Sequence, residues 1–418
     1  MSLPSDIGRL EPSASRIAAI DIIRGLALFG VLQVNLFSFS GQCYAEWSGG
    51  TYPGGPLSDI LSLIRDVLIN GKAMSSFSIL FGVGLAIQME RAVTRGASFL
   101  RFALRRLGAL ALIGIAHALL IWNGDILLDY AIIGLMLLPL LRARVRTILL
   151  VAAGAFVLDT AFRQILVSLH TPDSFLFNYW RQQFGWLCPR ADWAYGHGSW
   201  MEAARWRAWE WAYFGRSVHV ISIFGCAPQF FLGLALWRSG ILRDVAGSIH
   251  SVRRIFHGVF WAGLALTFLS IPLAAKMMTW RHGWREMVRA GVYELPLFLL
   301  ALGYFAGMLL PLQRARWQRW LAPLAPMGRM ALTNYLGQSL VCTWIFNGHG
   351  LGLYGKLTPA AFMLGGVALY GAQIAFSRWW LGRFRFGPAE WLWRSMTYGR
   401  LHPLRLQPLP EVEPCPEG

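Results

Sequence analysis

Apolar runs of about 20 residues recur along this chain and are separated by short polar links. A helix of that length matches the thickness of a bilayer's hydrocarbon core. We place the runs near 17–39, 72–92, 101–121, 125–141, 147–166, 217–237, 255–275, 290–311, 331–349 and 359–379. The pattern therefore predicts an all-α integral membrane protein with about ten transmembrane helices.

The links between the runs carry most of the charge. Of the 418 residues, 56% are hydrophobic and 14% are charged, yet the net charge is +17. Arginine clusters at 91–106, 142–146, 238–254, 314–319 and 378–405 all fall on one side if the spans number about ten. The positive-inside rule makes that side cytoplasmic, with both termini there. The basic excess thus reflects orientation and contact with anionic membrane lipids, and it argues against nucleic acid as a partner.

The predicted organisation is a cytoplasmic tail (1–16), a five-span region (17–166), an outer loop (167–216), a second five-span region (217–400) and a cytoplasmic tail (401–418). The outward-facing loop carries seven tryptophans, namely Trp180, Trp186, Trp193, Trp200, Trp206, Trp209 and Trp211. They form either an aromatic belt at the lipid headgroups or a lid whose rings stack on a sugar or acyl chain.

Two amphipathic stretches lie outside the spans. Residues 57–70 predict an interfacial helix, because their apolar side chains recur at helical spacing. Residues 386–400 predict a second one on the cytoplasmic side, with Glu390 and Arg394 as an i,i+4 pair. This segment either anchors the chain at the interface or closes the inner mouth of a cavity.

Ionisable groups inside spans cost about 2.5–3.5 kcal/mol each on insertion scales, so each calls for a partner or a cavity. Asp21 and Arg24 stand three residues apart near the inner end of the first span and can pair. Asn35 shares their helical face about 16 Å further out. Arg106 and His117 repeat that spacing in the third span. Both helices are thus predicted to carry a polar stripe from the inner to the outer surface.

The polar turn after the third span contains the candidate catalytic residues. We expect His117 to act as a general base that Asp125 orients, and the alternative is a neutral core histidine bonded to a backbone carbonyl. Asp129 follows Asp125 at helical spacing, so both carboxylates can approach one outer pocket. The candidate substrate-binding residues there are Trp122, Asn123, Asp129 and, from the first span, Asn35.

A second polar group falls near the end of the chain. Asn334, Tyr335 and Gln338 lie together in the ninth span, and His349 lies in the turn that follows it. They are candidate substrate-binding residues, or the amides instead join neighbouring helices. The five cysteines form no CxxC pair, and no other metal-ligand spacing occurs, so no metal site is predicted. Cys43 and Cys188 both fall in outer loops, either as a disulfide or as two thiols.

Five segments, in order, resemble the YeiB-like family of bacterial inner-membrane proteins, catalogued as domain of unknown function 418. They are RIAAIDIIRGLALFGVLQVNL, FSILFGVGLAIQMERA, RRLGALALIGIAHALLIWNGDILLDYAIIGLMLLPLL, GRMALTNYLGQSLV and FGPAEWLWRSMTYGR. The resemblance covers nearly the whole chain apart from the tryptophan-rich loop and the termini. It implies a multi-pass protein of the bacterial cytoplasmic membrane.

The opening motif, Asp21-Ile-Ile-Arg24-Gly25, is also similar to the start of two groups of membrane acyltransferases. These groups are the enzymes that O-acylate bacterial surface polysaccharides and the lysosomal heparan glucosaminide N-acetyltransferase. Both carry an acyl group from cytoplasmic acyl-CoA to an acceptor on the far side of the membrane. The first group has a histidine where this chain has Asn35, so the role of base passes to His117.

This similarity implies acyl-CoA as a co-substrate, with no tightly bound cofactor, and an envelope glycan or small molecule as acceptor. The donor's phosphates would bind near the inner residues Arg24, Arg106, Arg329 and Asp21. The alternative function is a small-molecule transporter or proton-coupled permease, in which the same charged groups form a proton relay. A third interpretation of the chain is a scaffold or lipid-binding protein, in which the polar residues within the spans only join helices.

Overall fold

Each predicted span forms a helix, because the backbone groups of a segment in lipid must pair within that segment. The computed structural model describes residues 12–41, 54–94, 99–169, 175–213, 215–277 and 284–405, and no β-strand occurs within those ranges. In chain order the helices are α1 (Pro12–Ser40), α2 (Pro56–Ile64), α3 (Lys72–Thr94), α4 (Phe99–Leu120), α5 (Leu127–Leu137), α6 (Val145–Leu169), α7 (Phe175–Gly196), α8 (Trp200–Tyr213), α9 (Gly215–Arg238), α10 (Ile249–Met277), α11 (Trp284–Leu309), α12 (Ala315–Leu321), α13 (Ala325–Arg329), α14 (Ala331–Phe346), α15 (Pro359–Leu381) and α16 (Pro388–Tyr398).

The all-α membrane architecture is confirmed. Within the described residues, eight helical stretches are long and apolar enough to cross a membrane. The predicted spans 125–141 and 331–349 contain shorter helices, α5 with 11 residues and α14 with 16. At 1.5 Å per residue these helices are about 16 and 24 Å long, less than the roughly 30 Å of a hydrocarbon core. The count of ten spans and the orientation therefore stay predictions.

The tryptophan-rich segment, predicted to be the outer loop, is itself largely helical. It contains α7 and α8, which are joined by residues 197–199. Buried alanines on α8, Ala203 and Ala204, give this polar sequence an inward face. The segment is thus held by tertiary contacts with α4 and α9 as well as by its aromatic rings.

Some predictions fall on residues outside the described ranges. Cys43 is one of them, so the alternatives for Cys43 and Cys188 stay open. Most of each predicted cytoplasmic tail also lies outside, since α1 begins at Pro12 and the description ends at residue 405.

The centre of the fold is α1, which contacts α3, α13, α14 and α15. Beside it α3 and α9 cross closely at two glycines. A Cβ on Gly82 would lie 2.2 Å from the Phe230 carbonyl oxygen, and one on Gly233 would lie 2.1 Å from that of Ile79. The two backbones can approach this far only where both positions lack a side chain.

Three further contacts position the candidate site. Helices α4 and α5 form a hairpin, so the turn between them sits at the end of α4. The outer helix α8 packs on α4, and the amphipathic helix α16 packs on α4 and α14. The α4–α5 hairpin is therefore covered by a separate helix near each of its ends.

Candidate functional site

A cavity of about 310 Å³, here called the inner cavity, is enclosed by α1, α3, α4, α5, α13, α14 and α16. Its wall is largely apolar, with polar and aromatic groups toward the two ends. Those near the arginine clusters are Arg24, Arg106, Arg329, Glu390 and Trp393, and those near the α4–α5 turn are Tyr130 and Tyr335. The cavity thus joins the basic residues predicted to bind an anion to the neighbourhood of His117.

The predicted pair of His117 and Asp125 is present. His117 Nδ1 lies 2.8 Å from Asp125 Oδ1, and the two side chains are 1% and 0% exposed. The other carboxylate oxygen, Oδ2, accepts the Leu128 backbone N–H at 3.0 Å. With the Nδ1 proton donated to the carboxylate, Nε2 of the neutral ring carries the lone pair. This is the arrangement that orients a general base.

His117 Nε2 is buried and has no hydrogen-bond partner among the described residues. The ring of Tyr335, which lines the inner cavity, lies 5.2 Å from the imidazole, and the ring of Trp122 lies 6.3 Å from it. His117 is therefore set behind Tyr335 at the end of the cavity. A buried polar atom without a partner needs an explanation, and a transient ligand provides one.

Asp129 does not share this pair but forms a second one. Its Oδ1 lies 2.5 Å from Nδ1 of His219 on α9, and Trp211 Nε1 donates to His219 Nε2 at 3.0 Å. Because Nε2 accepts the indole proton, the His219 ring carries its proton on Nδ1 and donates it to Asp129. The two carboxylates expected to converge on one pocket are thus each assigned to a different histidine.

Helix α8, from the predicted outer loop, covers the α4–α5 turn. Arg207 donates to the carbonyl oxygens of Leu119 and Leu120 at 3.1 and 2.9 Å, which completes the end of α4. Glu210 accepts from Asn123 at 2.6 Å and from the Tyr195 hydroxyl. Asn123, predicted to bind substrate, is therefore bound to the outer helix, which acts as a cover over the turn.

The inner mouth is closed by α1 and α16. Arg24 pairs with Asp21 at 2.7 Å, as predicted, and its guanidinium also reaches the Gly328 carbonyl oxygen at 3.3 Å. The Arg106 guanidinium lies 3.5 Å from the centroid of the Trp393 ring, and the indole N–H donates to the Arg106 carbonyl oxygen at 2.8 Å. Two of the predicted anion-binding arginines are thus held by neighbours at the cavity mouth.

The predicted pairing of Glu390 with Arg394 is wrong. Glu390 accepts the backbone N–H groups of Leu332 and Thr333 at 2.7 and 3.1 Å and the Thr333 hydroxyl at 2.6 Å, so it caps the start of α14. The orphan N–H groups at a helix start, and the positive end of the helix dipole there, attract a carboxylate. Arg394 instead stacks on Phe386, at 4.4 Å. Burial raises the pKa of Glu390, and its hydrogen bonds with Thr333 oppose that rise.

Comparison with known proteins places the chain in a family. A family model described as a protein of unknown function, DUF418, matches residues 236–400. The uncharacterized protein YxaH of Bacillus subtilis is 34% identical over 94% of this chain and 98% of its own length. The uncharacterized protein YeiB of Escherichia coli is 30% identical over 91% of this chain and 96% of its own length. The chain belongs to the YeiB-like DUF418 family. No solved structure matches it.

In this YeiB-like chain the remaining predicted residues lie away from the inner cavity. Asn334 donates to Ser377 Oγ at 3.0 Å, and Gln338 donates to Gln373 Oε1 at 2.9 Å. Gln373 in turn donates to the Asn334 carbonyl oxygen at 3.0 Å. This buried amide network joins α14 to α15. It agrees with the alternative prediction for these residues, that the amides join neighbouring helices.

Two predicted residues of the YeiB-like chain lie near the outer end. Asn35 is half-buried on α1, one turn before Phe39, whose ring lies 4.2 Å from that of Trp122. His349 lies in the turn after α14, with its ring 6.4 Å from that of Trp344 and its Nδ1 buried without a partner among the described residues. Neither side chain lines the inner cavity.

Reasoning from the sequence missed three residues that shape this YeiB-like site. His219, Arg207 and Glu210 lie about 90 residues from the turn they contact. The sequence held one indication of His219: it stands near the start of an apolar run, as His117 stands near the end of another. Arg207 and Glu210 stood among tryptophans, where a lid was only one of two interpretations.

Proposed function

We propose that this protein is a transmembrane acyltransferase of the bacterial cytoplasmic membrane, which moves an acyl group from cytoplasmic acyl-CoA to an acceptor on the outer side. The observation that carries the proposal is the inner cavity. Its wall has three arginines toward one end, and at the other end Tyr335 contacts a buried histidine that a carboxylate orients. An anionic carrier and a general base are the two requirements of acyl transfer from a thioester.

The size of the cavity favours one way of binding the donor. At about 310 Å³ it is near the lower limit for small-molecule pockets, so it accepts an extended arm and a short acyl group. Along α4, Arg106 and His117 are separated by about 16 Å, close to the reach of a pantetheine arm. The nucleotide and its phosphates would therefore stay at the mouth, beside Arg24, Arg106 and Arg329.

The chemistry assigns one role to each site residue. Asp125 holds the imidazole so that Nε2 of His117 takes the proton of the acceptor's hydroxyl or amine. The acceptor atom bonds to the thioester carbonyl carbon, the carbon–sulfur bond breaks, and the thiolate leaves with the proton returned from the ring. Asn123 is bonded to Glu210 at 2.6 Å and does not line the cavity. The Tyr335 hydroxyl lines it and donates to the Gly124 carbonyl oxygen over a long 3.4 Å, so we assign the oxyanion donor to this hydroxyl.

The experiment is acyl exchange by the purified full chain in lipid nanodiscs. Acetyl-CoA and longer acyl-CoAs are supplied with labelled CoA, whose thiol takes the place of the acceptor and receives the acyl group as unlabelled CoA leaves. Labelled acyl-CoA is measured by chromatography. His117→Gln should abolish exchange while its unfolding temperature stays near that of the wild type. His257→Gln, at an exposed position of α10, is the matched control and should exchange normally. A protein that neither binds nor exchanges any acyl-CoA would refute the proposal.

Proton-coupled transport is the second candidate, and a specific observation favours it. Two His–Asp pairs, His117–Asp125 and His219–Asp129, have their carboxylates one helical turn apart at the start of α5. Paired groups of this kind inside a membrane form proton relays in transporters. Uptake of a solute into proteoliposomes that depends on a pH gradient, without acyl exchange, would select this function.

A further inference from the structure

A second cavity, here called the outer cavity, lies between α3, α6, α9 and α11 and has a volume of about 360 Å³. Its polar lining comes mainly from the halves of these helices that are remote from the arginine clusters. The polar residues that matter here are Ser75, Asp159, Arg163, Ser222, Gln229 and Glu294. None of them was a candidate in the sequence, and the inner cavity uses none of them.

The charges in the outer cavity do not balance. Arg163 Nε pairs with Asp159 Oδ1 at 2.9 Å, and Gly225 leaves the room that this guanidinium occupies. Glu294 adds a second carboxylate. Among the described lining residues, the two carboxylates face one basic side chain, Arg163. A carboxylate at membrane depth is costly unless a cation meets it.

The hydrogen-bonding groups point to the same kind of ligand. Gln229 contacts Ser75 Oγ through Nε2 at 3.4 Å, and its Oε1 is buried without a partner among the described residues. An unpartnered amide oxygen and an unbalanced carboxylate are both acceptors. The complementary ligand therefore carries positive charge and N–H donors.

We propose that the outer cavity is a binding site for a small organic amine, whose ammonium group pairs with Glu294. A volume of about 360 Å³ corresponds to about a dozen water-sized groups, so the ligand is a small molecule or the end of a larger one. The proposal stands independently of acyl transfer, since it rests on the outer cavity alone.

The outer cavity also adjoins the inner one. Met74 lines both, and the hydroxyls of Ser78 from the outer side and Tyr130 from the inner side are 2.8 Å apart. An amine in the outer cavity is thus one side chain from whatever occupies the inner cavity.

The test compares amines with uncharged molecules of the same shape on the full chain in nanodiscs. The probes are ethanolamine against ethylene glycol, and putrescine against 1,4-butanediol. The amines should raise the unfolding temperature saturably, by about 2–4 °C, and the diols should not. Calorimetric titration with putrescine supplies an independent measure of binding.

Two variants and one control test whether the amine binds in the outer cavity. Glu294→Gln should abolish the rise with putrescine by removing the carboxylate that pairs with the ammonium group. Cys226→Phe enlarges a buried lining side chain and leaves the charges of the cavity intact. It should abolish the rise too, and it tests the site if the first variant does not fold. Asp59→Asn removes an exposed carboxylate on α2 and should keep the rise. Amines that act no better than their diols, or a rise that survives both cavity variants, would overturn the proposal.

Discussion

Replacing Asp125 with asparagine tests the geometry of the buried histidine pair. The carboxylate accepts two hydrogen bonds, from His117 Nδ1 at 2.8 Å and from the Leu128 backbone N–H at 3.0 Å. An asparagine offers one acceptor end and one donor end. Its oxygen can serve the Leu128 N–H only if its amide nitrogen faces Nδ1, so the ring must then carry its proton on Nε2.

The size of the effect on the His117 tautomer follows from the free-energy cost of the opposite orientation of the asparagine amide. Turning the amide the other way sets its NH₂ group against the Leu128 N–H and leaves a buried donor unsatisfied, at a cost of about 1–3 kcal/mol. Since about 1.4 kcal/mol is a factor of ten, the ring is mostly in the wrong tautomer. The same change in a serine-protease triad lowers turnover about 10⁴-fold. The tautomer cost alone, about 1–3 kcal/mol, predicts a loss of about 5–150-fold in acyl exchange for Asp125→Asn. A loss as large as in that triad requires that Asp125 also stabilises the charged ring.

Two measurements test the hydrogen bond of His117 and its role as a base separately. Nitrogen chemical shifts of labelled histidine report which ring atom of His117 carries the proton, and acyl exchange reports the function. The exposed His257 ring serves as an internal reference, because the substitution should not change its shifts. A proton that stays on Nδ1 would refute the hydrogen-bond argument. Full exchange with the proton on Nε2 would refute the role of His117 as base.

Three further predictions concern stability. Gly114→Ala should lower the free energy of unfolding by about 1–3 kcal/mol, since the new Cβ would lie 2.7 Å from the site carboxylate, and chemical denaturation in detergent measures it. Arg207→Met should lower it by about 3 kcal/mol through the loss of two charged hydrogen bonds to the end of α4. Burial raises the pKa of Glu390, so the free energy of unfolding of the wild type should increase as pH falls from neutral toward the ordinary pKa of a glutamate. Glu390→Gln should remove this pH dependence.

Each of these predictions has its own check. Gly108→Ala on the same helix meets nothing within 4 Å and should stabilise by about 0.5–1 kcal/mol, so equal effects at both glycines would contradict the first. Arg205→Met, at an exposed position of α8, should stay within about 0.5 kcal/mol of wild type, and a similar loss there would remove the capping argument. For Glu390, a raised folded pKa means that its contribution is complete below the unfolded pKa and is lost as pH rises. If the pH dependence of the unfolding free energy is the same in Glu390→Gln as in the wild type, other groups cause it.

Some features of the site were predictable because they are local in the chain. The pair of Asp21 and Arg24 follows from a spacing of three on one helix. The pair of His117 and Asp125 follows from a short turn between two apolar runs, which brings eight-residue neighbours together. In both cases the hydrophobic pattern specifies the helices and the spacing then specifies the contact.

Other features were misassigned because a local pattern competed with a distant partner. Glu390 and Arg394 have good helical spacing, yet the carboxylate binds the start of α14, 58 residues earlier in the chain. Asp125 and Asp129 share a spacing of four, yet Asp129 pairs with His219, 90 residues later. The N–H groups at the start of α14 and the His219 ring nitrogen bind these carboxylates instead, because leaving a buried donor unpaired costs free energy.

The sequence by itself determined the membrane class, the approximate helices, the family and the one catalytic candidate pair that a tight turn creates. It did so because lipid requires apolar helical runs, and such runs are visible as a pattern. Only the tertiary structure decided which helix faces meet. That choice set the inner cavity between Arg106 and Tyr335, the second pair at His219 and the outer cavity around Glu294. Periodicity shows that a helix has a polar face, but packing against other helices selects what that face contacts.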